Sequence, residues 1–222
     1  MINRANTTVN AREVSQNLVL KNTYLLLGMT FCFSSLMTLF SMSIGASPLN
    51  PILWIALVIG LQYGVISTSK SVWGIPMIFA FTGFLGYTLG PILTMYTVLF
   101  NNGYDLIFTS LGATGLIFVS LSAYVVTHQK NYSYMGGILF SAILVAFMAG
   151  IAAILFNMPL LSIVVSGAFA LISSALIMYH TSEIVHGGET NYILATMSIF
   201  VALFNLFLSL LRILAYFAGN RD

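Results

Sequence analysis

Residues 135–156 read MGGILFSAILVAFMAGIAAILF, twenty-two positions without one Asp, Glu, Lys or Arg. A helix needs roughly 20 such residues to cross the hydrocarbon of a bilayer. The run is apolar on every side and lacks the polar–apolar alternation of a membrane β-strand. Six further segments of the same character lie around it: Tyr24–Ile44, Ile52–Ser67, Ile75–Phe100, Leu106–Thr127, Leu160–Val185 and Ile193–Phe217. The second of the seven, Ile52–Ser67, is the shortest. The expected fold is all-α and polytopic, a seven-helix transmembrane bundle over residues 24–217.

Composition agrees with this reading. Hydrophobic residues make up 59% of the 222 and charged residues 5%, whereas a soluble domain uses about 25% charged residues. With a mean hydropathy of +0.99, neither a water-facing surface nor disorder fits the whole chain. A net charge of +2 is too small to point to nucleic acid. Cys32 is the single cysteine, so no internal disulfide forms. Residues 1–23 are polar, hold no short apolar core of a cleavable signal and show no periodicity. They are expected to form a flexible cytoplasmic tail, and residues 218–222 a short non-cytoplasmic end.

The segment boundaries carry capping chemistry. Asn50 before Pro51 reads as an N-cap followed by proline at the first helical position, and Asn157 with Pro159 reads similarly. Gly187-Gly188 should end the sixth helix, and Thr190 or Asn191 should cap the seventh. Arg4, Arg12, Lys21, Lys70 and Lys130 all fall on one side, while Arg212 and Arg221 fall on the other. Basic residues favour the cytoplasm, which places the N-terminus inside and the C-terminus outside. The loop after the sixth segment departs from that pattern, with Glu183 and Glu189 near it and no Lys or Arg.

Close helix packing in lipid relies on small residues. Gly83, Gly86 and Gly90 line the third segment and are followed by Pro91. The pattern predicts either tight packing or a hinged, kinked helix. In the seventh segment Asn191, Ser198, Asn205 and Arg212 recur every seven residues, with Ala195, Ala202 and Ser209 between them. Such a stripe should face protein or water rather than lipid, with Phe200, Leu203, Phe207 and Leu210 away from it. Arg212 is also placed to snorkel toward the interface.

The parts of hydrolytic or redox catalysis are missing: there is no G-x-S-x-G, H-E-x-x-H, phosphate loop or dinucleotide fingerprint. A non-enzymatic protein without cofactor or metal is expected. One constellation remains, His180-Thr-Ser-Glu183-Ile-Val-His186, whose members share a broad helix face. It reads as a pH-sensing cluster, since a carboxylate neighbour raises an imidazole's affinity for a proton. It also reads as a plain polar helix end whose histidines complement the dipole.

Three stretches resemble a known family: Lys21-Asn-Thr-Tyr24, Ala80-Phe-Thr-Gly-Phe-Leu-Gly-Tyr-Thr-Leu-Gly-Pro-Ile-Leu93 and His186-Gly-Gly-Glu-Thr-Asn-Tyr192. Together with Asn205-Leu-Phe-Leu-Ser-Leu-Leu-Arg-Ile-Leu214 they look like the YccA-like branch of the Bax inhibitor family. The resemblance implies seven helices with the last one central, in a bacterial inner membrane. It further implies binding to the membrane-anchored ATP-dependent protease FtsH, together with the prohibitin-like HflK and HflC. The chain would then be a modulator that is at once binding partner, slow substrate and competitor, with the N-terminal tail as the protease's handle. Other members of the family resemble pH-sensitive calcium leak channels and carry an aspartate pair. The matching positions here are His180 and Ala202, so the pair is missing. The alternative function is therefore a cation leak gated near the cytoplasmic end of helices six and seven.

Overall fold

The computed structural model describes residues 2–219, with side chains from Val14 onward. Seven α-helices follow one another: α1 (Ile2–Ser43), α2 (Pro51–Thr68), α3 (Gly74–Leu99), α4 (Gly103–His128), α5 (Gly136–Leu155), α6 (Pro159–His186) and α7 (Tyr192–Gly219). All seven contain a stretch long and apolar enough to cross a membrane, that of α1 beginning at Val14. The protein is thus all-α and polytopic, as its apolar runs require. Large apolar side chains stay exposed along α2 and α5, among them Ile52, Ile59, Tyr63, Phe140, Val145 and Ile154. Such surface is stable only against lipid or another apolar partner.

Two helix ends differ in detail from the sequence reading. Asn157 does not cap α6; it sits at φ 50° just past α5. The Asn157 N–H bonds to the carbonyl of Ile154 and the Met158 N–H to that of Ala153, which makes Asn157 the left-handed closing residue of a Schellman motif. The second difference is at the N-terminus, where α1 begins at Ile2 rather than near Thr23. No Gly or Pro occurs between Ile2 and Leu27, so a helix already formed in the span propagates backward without a break. Residues 220–222 of the expected C-terminal end, Arg221 among them, lie outside the described residues.

The chain divides into two compact units, Met1–Gly90 with His180–Phe200 and Pro91–Tyr179 with Val201–Asp222. In the first, Leu26, Leu27, Ile78, Phe81, Ile184 and Ile199 form the buried core, and the rings of Phe31 and Phe200 meet at 4.8 Å. In the second, Leu106, Val125, Ile177, Leu206 and Leu211 are buried. Helix α7 is the most enclosed, with 61% of its most apolar window buried against at most 44% in any other helix.

Candidate functional site

The polar end of α6 is built on a buried strip of Ile177, Thr181, Ser182 and Ile184. His180, Glu183 and His186 flank that strip, half-buried. His186 donates from Nδ1 to the Ser182 carbonyl at 2.9 Å, one turn back, and the Ser182 hydroxyl lies 3.3 Å from the same nitrogen. Glu183 turns its carboxylate onto Gly188, where even a methyl group would collide with it. Among the described residues no three His, Cys, Asp or Glu side chains come together in a way that would hold a metal ion. Helical spacing places the three candidates along one end of α6, with His186 held by the Ser182 carbonyl and Glu183 turned onto Gly188.

The turn that follows explains the His186-Gly-Gly-Glu-Thr-Asn-Tyr run as a joint. Gly187 takes φ 75°, a left-handed conformation that a side chain would strain. Its N–H bonds to the Ile184 carbonyl, and the Gly188 N–H bonds to the Glu183 carbonyl at 2.8 Å, closing α6 in a Schellman motif. Glu189 then accepts the Asn191 N–H through Oε1 at 2.7 Å. Asn191 is the N-cap of α7: its Oδ1 accepts the N–H groups of Ile193 and Leu194. Its Nδ2 donates to the Ser69 carbonyl at 2.9 Å, fastening the joint to the end of α2. Of the two caps expected, Asn191 is the one used.

Helix α1 contributes a stripe that the sequence reading did not single out. Thr23, Thr30, Ser34, Thr38 and Ser41 are all buried, at spacings of seven, four, four and three residues that keep them on one helix face. The Thr196 hydroxyl of α7 donates to the Tyr192 carbonyl at 2.7 Å with the Thr23 carbonyl also in range at 3.3 Å, and the Tyr24 hydroxyl lies 3.5 Å from that of Thr181. Farther along, the stripe meets the glycines of α3. Gly83 faces the Phe33 ring, Gly86 faces the Ser34 backbone and hydroxyl, and Gly90 faces Ser41 and the Thr38 carbonyl. The Thr38 Oγ1 has two carbonyls in range of its one proton, that of Ser34 at 2.9 Å and that of Gly86 at 2.8 Å. A Cβ at any of these glycines would meet α1, and α3 remains helical through Pro91 to Leu99.

The stripe on α7 has two fates. Ala195, Ala202 and Ser209 are buried, and Asn191 and Ser198 are half-buried. Asn205 and Arg212 are exposed, Asn205 donating from Nδ2 to the Val201 carbonyl at 3.0 Å. Phe200, Leu203 and Phe207, expected away from the stripe, are buried as well. Most of this helix is enclosed on both faces, with openings at Asn205, Arg212 and its C-terminal end.

Residues 16–219 match the family model described as inhibitor of apoptosis-promoting Bax1. Among known proteins, the chain is 43% identical over 209 residues to the Escherichia coli K12 protein named modulator of FtsH protease YccA, covering 94% of each. A protein of a second Escherichia coli strain, named inner membrane protein YccA, matches equally well. An uncharacterized Pseudomonas aeruginosa protein is 42% identical over 94% of this chain and 93% of its own length.

Proposed function

The chain belongs to the Bax inhibitor family, and on that premise we propose that it is a bacterial inner-membrane modulator of the FtsH protease. The observation that carries this is near full-length similarity, at 43% identity, to a protein bearing that name. The proposed arrangement puts the N-terminus in the cytoplasm, in keeping with Arg4, Arg12, Lys21, Lys70 and Lys130 on one side. The C-terminus then lies in the periplasm. The protease engages the chain from its N-terminal end, in assemblies that include HflK and HflC.

In this reading the first part of α1 is the handle. Where its side chains are described, Val14 and Leu18 are 59% and 54% exposed, so little packing holds that end. Helix without tertiary contact is marginal in water, and a frayed end can enter an unfolding machine. The body resists, through the α1–α3 seam and the joint between α6 and α7. A slowly processed substrate occupies the protease and thereby competes with others.

The test is purification of the intact chain from bacterial membranes after mild solubilisation, with its partners identified. FtsH retained at raised salt supports the proposal, and a well-folded preparation without FtsH overturns it. Deleting residues 2–13 should lengthen the chain's lifetime in the presence of the protease several-fold. An unchanged lifetime would remove the handle from the proposal.

A further inference from the structure

Within the second unit, α6 and α7 leave a cleft of about 180 Å³, lined by Ser166, Phe169, Asn205, Leu208, Ser209 and Arg212. A water molecule's share of the liquid is about 30 Å³, so the space suits a polyatomic group. Among the described residues no carboxylate lines it. Arg212 makes no ion pair and Ser209 no hydrogen bond among the described residues. The Ser166 hydroxyl is already engaged with the Ser162 carbonyl at 2.9 Å. The groups left over are mainly donors: the guanidinium, the Ser209 hydroxyl and the second N–H of the Asn205 amide.

Position adds to this chemistry. Arg212 precedes the end of α7 at Gly219 by seven residues, roughly 10 Å along the axis. A helix of 28 residues is about 42 Å long and exceeds the roughly 30 Å of hydrocarbon. The Arg212 backbone thus falls a few ångströms inside the apolar boundary, with its head within reach of the headgroup level. An unpaired cation is costly at that depth. A guanidinium also presents a planar fork of N–H groups, and that fork fits phosphate oxygens in pairs. A metal cation, by contrast, would meet a fixed positive charge and, among the described residues, no carboxylate.

We infer that this cleft binds a phosphate group, with Arg212 as its anchor and Ser209 and Asn205 as supporting donors. The inference does not depend on the protease reading. A phosphate can arrive on a lipid headgroup or free in solution, and the experiment separates the two. The full-length protein is purified in detergent and stripped of bound lipid. One arm measures retention of phosphatidylglycerol by native mass spectrometry; the other measures the rise in melting temperature with inorganic phosphate over a chloride control.

Binding in the lipid arm alone assigns a headgroup site, and binding in the phosphate arm assigns a free-anion site. Arg212→Gln should weaken whichever binding is seen by about tenfold or more, the scale of charge-assisted hydrogen bonds. Arg212→Lys should retain part of it. If Arg212→Gln does not stay monodisperse, Leu208→Trp, which fills the cleft and leaves the arginine in place, should give the same loss. No binding in either arm, or binding indifferent to both variants, overturns the inference.

Discussion

Thr38 on α1 and Arg212 on α7 show two ways of keeping a polar side chain on a membrane helix. Thr38 is buried in the first unit and gives its one proton to a nearby carbonyl, with both Ser34 and Gly86 in range. Arg212 lies in the second unit, exposed beside a cleft. The contrast is one of capacity. A hydroxyl has a single proton, which the backbone one turn back can satisfy. A guanidinium has five N–H groups, more than any helix surface can supply with acceptors. Here the hydroxyl marks where α1 and α3 close on each other, and the guanidinium marks where a cleft stays open.

The strongest way to break that comparison is at Gly86. Its missing Cβ is what lets α1 approach, so Gly86→Val should destabilise the protein by about 3 kcal/mol, at the upper end of overpacking costs. Reversible unfolding in mixed detergent micelles would measure it, and a loss below about 1 kcal/mol would refute the close-packed seam. Asn191→Ala comes next. It removes the α7 cap and the bond to Ser69, and about 2 kcal/mol should be lost in the same assay.

Gly187→Ala should cost about 1 kcal/mol, because φ 75° is strained for any residue with a Cβ. Thr38→Val keeps the shape and deletes the proton. Buried interhelical hydrogen bonds in membranes average about 0.6 kcal/mol, so a loss near that size is expected. Arg212→Gln should leave stability within about 0.5 kcal/mol, as exposed positions do. A large loss there would mean that the guanidinium is part of the closed structure and would erase the distinction drawn above.

Much of the architecture was legible because lipid imposes one rule on every span. Segment limits such as Ile75–Phe100 fall within a residue of Gly74–Leu99. The caps at Asn50 and Asn191 and the stop at Gly187 were readable because each follows from local backbone chemistry. Asn157 was misread because asparagine serves both as an N-cap and in the left-handed position after a helix, and only hydrogen bonds distinguish them. The hydroxyl stripe of α1 was present at helical spacing, but Thr and Ser scattered among apolar residues do not declare a partner. Thr38 meets Gly86 across 48 positions of sequence. The seven-residue repeat on α7 was visible, yet nothing in it says that Ser209 is covered and Arg212 is not.

Helix α1 has a mechanical consequence. Between Thr23 and Ser41 it is one unbroken helix, so the buried residues of its stripe are rigidly joined to one another. A force along the axis at the start of that segment reaches Ser34, Thr38 and Ser41 together and loads their contacts with α3 in shear. Contacts sheared in parallel yield at higher force than contacts peeled one after another. A pull on α1 from its N-terminal side therefore meets the seam as a unit.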